Sequence, residues 1–70
     1  MKYRLDTFLN SKEFIIYPAN RAKFTLDELM QISNWCKITP EGYYVLNDYY
    51  IMFTNRNDAA LFLLTWNDNI

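Results

Sequence analysis

The chain contains no histidine, one glycine and one cysteine in 70 residues. Without histidine there is no imidazole base, no Ser-His or Cys-His nucleophile pair and no ordinary zinc site. Gly42 alone cannot build a glycine-rich phosphate cradle. Cys36 alone cannot form an internal disulfide. A lone cysteine suits a reducing cytoplasm, where its plain role is that of a small buried apolar side chain. Ser11, Ser33 and Cys36 have no base partner in the sequence, and no acidic pair has the look of a glycosidase site. These absences predict a non-enzymatic protein with no catalytic residues, no cofactor and no metal. Met1-Lys2-Tyr3-Arg4 leads into alternating residues, not an apolar leader. The longest apolar run, Ala59 to Leu64, is too short to span a bilayer. A cytoplasmic protein with no membrane partner is therefore expected.

What the chain has is apolar and aromatic surface. Half of it (51%) is hydrophobic, and Tyr, Phe and Trp number 6, 5 and 2. Such a composition supports a packed core, so one small domain over residues 1–70 is expected. A domain this short is marginally stable on its core alone, and self-association is one remedy. The net charge is -1 and the pI about 5.1. The seven cations are scattered, without the basic patch that nucleic-acid binding normally shows.

The residue pattern predicts six elements. Tyr3 to Leu9 alternates, with Tyr3, Leu5, Thr7 and Leu9 on one face and Lys2, Arg4, Asp6 and Phe8 on the other. Asn10 to Lys12 is a polar break, and Glu13 to Tyr17 reads as a second strand ended by Pro18. Thr25-Leu26-Asp27-Glu28 is a capping box that opens a helix over Leu26 to Lys37, with Leu26, Leu29, Ile32, Ser33 and Cys36 on one stripe. After the turn Thr39-Pro40-Glu41-Gly42 come strands over Tyr43 to Leu46 and Tyr49 to Thr54, joined by a two-residue Asn47-Asp48 loop. Asn55 or Asn57 caps a last helix over Asp58 to Trp66, whose core face is Ala59, Phe62, Leu63 and Trp66. Asn67 to Ile70 is a tail. The order predicts an α+β domain, ββαββα, with an antiparallel sheet of about four strands and two helices on one face.

Two resemblances add to this reading. Residues 49–59, Tyr49 to Ala59, resemble the third strand and second helix of an RNA-recognition motif. Tyr50 stands where a base-stacking aromatic would be. Leu46-Asn47 replaces that family's basic-glycine lead-in, and Asp48 replaces its preceding aromatic. The implication is a ferredoxin-like strand-helix unit and, with it, a variant of the ferredoxin-like fold. The whole chain also resembles the small uncharacterised accessory proteins of large tailed bacteriophages. Arg4 to Leu9, Trp35-Cys36, Asn47 to Tyr50 and Asp58 to Trp66 carry that likeness. It implies an accessory or inhibitory protein made in the cytoplasm of an infected bacterial host cell, often acting on a host protein.

The candidate contact residues follow from the aromatics. Tyr43, Tyr44, Tyr49 and Tyr50 flank a hairpin, so about half of them should leave the helix side of the sheet. Tyr44 and Tyr50, with Arg4, are expected on the open face. Aromatics there would serve a protein interface or stack single-stranded bases. Leu61 and Leu64 lie off the core face of the last helix, which suggests a second chain against it, either a host protein or another copy. Net acidity favours protein over nucleic acid as the partner. The alternatives are an RNA-binding protein using these tyrosines with Lys2, Arg4 and Arg56, and a structural homodimer.

Overall fold

A computed structural model describes residues 2–7 and 12–67. The two ends of this sequence pattern meet in one sheet. Strands β1 (Tyr3–Thr7) and β2 (Phe14–Pro18) form an antiparallel hairpin, and β3 (Tyr44–Leu46) and β4 (Ile51–Phe53) form another. β2 pairs antiparallel with β4, so the sheet order is β1-β2-β4-β3. Helices α1 (Leu26–Cys36) and α2 (Arg56–Trp66) supply the second layer. The α+β, ββαββα order predicted from the sequence is the observed one. Read from β2 onward, it is the strand-helix-strand-strand-helix part of the ferredoxin-like order, and β1 takes the remaining edge beside β2. The expected continuation of the first strand through Phe8 and Leu9, most of the Asn10 to Lys12 break, and the tail beyond Asn67 lie outside the described residues.

Register assigns the faces. Tyr3↔Pro18, Leu5↔Ile16↔Ile51↔Leu46 and Thr7↔Phe14↔Phe53↔Tyr44 are successive rows on the helix side. The core is Tyr3, Ile16, Ile51 and Phe53 from the sheet, Ile32 and Cys36 from α1, Ala59 and Phe62 from α2, and Phe24 from the β2–α1 connection. The ring of Phe62 lies 5.6 to 6.1 Å from those of Tyr3, Trp35, Phe53 and Trp66, mostly edge-on or tilted, as aromatic quadrupoles favour.

Several boundaries differ from expectation for local reasons. Pro18 belongs to β2 instead of stopping short of it. It lies opposite Tyr3 while the next bond, from Ala19 N–H to Lys2 C=O at 2.9 Å, keeps the ladder in phase. Its missing N–H therefore points away from β1 and costs no bond there. The β3–β4 loop is four residues long, not two. The Asn47 side chain accepts from Tyr49 N–H at 2.8 Å and Tyr50 N–H at 3.0 Å, and this side-chain turn removes both tyrosines from β4. Leu26 is not a core residue. It sits in the first turn of α1, is 75% exposed, and only Leu29, Ile32, Trp35 and Cys36 reach the core cluster.

Helix α1 starts where its capping box places it, and α2 starts at Arg56, two residues before the expected Asp58, because Asn55 and not Asn57 caps it. Thr25 Oγ1 accepts from Glu28 N–H at 3.1 Å, and Thr25 N–H donates to Glu28 Oε1 at 2.9 Å. Asn55 Oδ1 accepts from Asn57 N–H and Asp58 N–H.

Glu28 does more than cap. Its carboxylate takes a two-pronged ion pair from Arg21, one prong at 2.8 Å, and accepts a hydrogen bond from Tyr3 Oη. The Arg21 guanidinium, together with the cap bonds, holds the Glu28 carboxyl at about 2 against an ordinary 4.5. Burial, reinforced by the Glu28 carboxylate, raises the Tyr3 phenol to about 12. Because the folded chain takes up the Glu28 proton less readily than the unfolded chain, this stabilisation is complete above the unfolded value. It is lost as pH falls from about 4.5 to about 2. Thermal melts at descending pH should therefore show a steeper fall for the native chain than for Glu28→Gln, which starts lower. Parallel curves would rule out this role for Glu28.

Candidate functional site: the helix-free sheet face

Side chains alternate across a strand, so the residues between the core rows face away from the helices. They form two rows. Asp6, Ile15, Met52 and Val45 lie directly across from one another over all four strands, and Arg4 lies across from Tyr17. Ile15, Tyr17, Val45 and Met52 are each half-buried with no helix over them, and Arg4 and Asp6 are exposed at one margin. Tyr43, just before β3, is 69% exposed at the far end. Its N–H donates to Thr54 Oγ1 at 3.2 Å and its C=O accepts from Thr54 N–H at 3.1 Å, which fixes it beside the sheet.

The expected contact residues divide in this geometry. Arg4 is on the helix-free face, as the alternation indicated. Tyr44 is not. It lies across from Phe53, on the core side, and packs against the core cluster. The expectation took Tyr44 with Tyr50, but the register of the hairpin puts Val45 in that place. Tyr50 is half-buried in the β3–β4 loop, and Tyr49 in the same loop is 60% exposed. Leu61 and Leu64 are 42% and 68% exposed on the outer side of α2, away from the sheet face. The sheet face and α2 are thus separate surfaces.

Sequence reasoning passed over Ile15, Tyr17, Val45 and Met52. Their signal was present. Phe14 to Tyr17, Tyr43 to Leu46 and Tyr49 to Phe53 are apolar at consecutive positions, the pattern of strands covered on both faces. Two helices cover one face only.

Other features have structural uses. Burial raises the Cys36 thiol to about 11, with the Asp58 charge adding to the effect, so Cys36 is an unreactive packing residue. Asp58 is buried, and its two oxygens accept from Glu41 N–H at 3.0 Å and Gly42 N–H at 2.9 Å. Gly42 is needed there because a Cβ would come within 2.9 Å of Asn55 Cβ. Among the described residues no group of three His, Cys, Asp or Glu side chains could hold a metal ion, and no helix is long and apolar enough to cross a membrane.

Comparison of the chain with protein-family models, with curated proteins and with solved structures finds no match.

Proposed function

We propose that this chain is a non-enzymatic accessory or inhibitory protein of the bacteriophage type that binds a host protein through the helix-free sheet face. One observation carries the reading: an apolar row, Ile15, Met52 and Val45, crosses three strands with none of the described residues forming a layer over it. An antiparallel sheet facing water normally turns polar residues outward. A half-buried apolar row edged by Tyr17, Tyr43 and the charges of Arg4 and Asp6 has the make-up of a protein interface, with an apolar and aromatic centre and a polar rim. The setting that goes with the phage resemblance is the cytoplasm of an infected bacterium.

The geometry favours protein over RNA as the partner. Phosphate contacts need several cations. This face supplies Arg4 and, just before β1, Lys2, with Asp6 two residues from Arg4 along the same face. Arg56 is on the helix side, with its guanidinium carbon 5.9 Å from the centre of the Phe14 ring. Arg21 is engaged by Glu28. Tyr44, one of the proposed stacking residues, is on the core side.

The test is retention of a host protein by the immobilised chain from a nuclease-treated bacterial lysate, followed by elution over a salt gradient. We expect one stoichiometric protein that survives nuclease and leaves only weakly in response to salt. RNA in untreated eluates, lost steeply with salt and with no protein remaining after nuclease, would replace this reading with the RNA-binding one.

A further inference from the structure

The outer edge of β1 carries a second pairing surface. Ala19 N–H bonds to Lys2 C=O, so Lys2, Arg4 and Asp6 turn their main-chain groups towards β2, while Tyr3, Leu5 and Thr7 turn theirs outward. At Tyr3 these outward groups are already engaged. Asn67 Oδ1 accepts from Tyr3 N–H at 2.9 Å, and Asn67 Nδ2 donates to Tyr3 C=O at 3.2 Å. At Leu5 no strand lies on that side among the described residues, where β1 is the edge of the sheet. Unpaired edges of this kind are templates for another strand.

The side chains beside this edge are mainly apolar on the helix side, with Thr7 and Arg56 at the groove, and oppositely charged on the other face. On the helix side, Leu5 is 44% exposed and opens onto a groove of about 320 Å³ shared with Thr7, Phe14, Arg56, Ala59, Ala60 and Leu63. On the other face Arg4 and Asp6 stand on either side of Leu5.

We propose that β1 pairs antiparallel with β1 of a second copy of this chain, about a two-fold axis through Leu5. The two Leu5 residues then exchange both main-chain hydrogen bonds. Arg4 of each copy lies directly across from Asp6 of the other, an arrangement that stabilises antiparallel strands. Charge selects this register. Sliding by two residues, the smallest shift that keeps the faces matched, sets Arg4 against Arg4 or Asp6 against Asp6, which destabilises. Asn67 fills the outer position at Tyr3, so the shared ladder comprises Arg4 to Asp6. The pairing joins two four-stranded sheets into one and removes Leu5 and the groove beside it from water, a gain that a small domain needs.

The inference is independent of the host-protein reading, and its test uses the purified chain alone. Sedimentation equilibrium from micromolar to millimolar concentration should show a dimer that separates on dilution. Arg4→Asp and Asp6→Arg should each weaken dimerisation by roughly tenfold or more, since each sets like charges across the axis. The exchanged variant, Arg4→Asp with Asp6→Arg, has the native composition and should restore the native dissociation constant. In the monomer these residues lie across from Tyr17 and Ile15, so circular dichroism should show all three variants folded. A native chain that stays monomeric throughout, single variants that dimerise like the native chain, or an exchanged variant no better than the singles would each overturn the proposal.

Discussion

Phe62→Ala should cost this domain most of its stability, about 3–5 kcal/mol. Phe62 is fully buried and is the one ring that touches the aromatic side chains of both hairpins and both helices: Tyr3 of β1, Phe53 of β4, Trp35 of α1 and Trp66 of α2. Truncation to alanine removes the transfer energy of the ring and leaves a cavity between rigid neighbours that cannot collapse into it. Small domains hold only about 5–15 kcal/mol in total, so the variant should be largely unfolded at modest urea concentrations where the native chain is folded. Phe62→Leu, which keeps much of the volume, should lose clearly less. Equal urea midpoints for Phe62→Ala and the native chain would show that the sheet and the helices are held together by other contacts.

The second large effect belongs to Asp58→Ala, which should destabilise by about 2–4 kcal/mol. The buried carboxylate takes both the Glu41 and Gly42 amides, tying the turn before β3 to the first turn of α2. Removing it leaves two part-buried donors without their charged acceptor and unties the turn from α2. Asp58→Asn keeps one accepting oxygen and should fall in between. Gly42→Ala strains the same joint from the other side, through the 2.9 Å approach to Asn55 Cβ. The two changes should then be less than additive when combined. Urea unfolding of the single variants and the double variant measures this directly, and strict additivity would mean that the two residues act separately. The joint also bears on function, because it fixes where the chain enters β3 and so where Tyr43 and Val45 stand on the sheet face.

The fold was legible wherever one local rule decided it. The capping box at Thr25 and Glu28 and the three-and-four spacing of Ala59, Phe62, Leu63 and Trp66 each stand as read, and of the two possible caps Asn55 and Asn57 it is Asn55 that caps α2. Boundaries failed where a side chain overrode a pattern. The turn made by Asn47 took Tyr49 and Tyr50 out of β4, and the phase of the β1–β2 ladder allowed Pro18 into β2. Whether the N-terminal hairpin joins the main sheet was not written in any local feature, because β2–β4 pairing links residues far apart in the chain.

The site was less legible for the same reason. Strands that are apolar at every position do not announce which face the helices take. Register decides that, and a change of one residue exchanges the faces. The tyrosines drew the eye because they are large, yet Tyr44 went to the core and its neighbour Val45 to the open face. The residues central to the proposed interface, Ile15, Val45 and Met52, are unremarkable in sequence. They gain their meaning from standing in one row across three strands.

The most direct test of a sheet-face interface is a comparison of two double variants in binding to the retained host protein. Val45→Lys with Met52→Lys places charge in the middle of the helix-free face. Leu26→Lys with Met30→Lys places the same charge on the exposed side of α1, in the other layer. With both variants folded and their thermal midpoints close to native, the first should lose partner binding and the second should keep it. Binding that survives the first pair and disappears with the second would contradict the sheet-face account and move the interface to the helical layer.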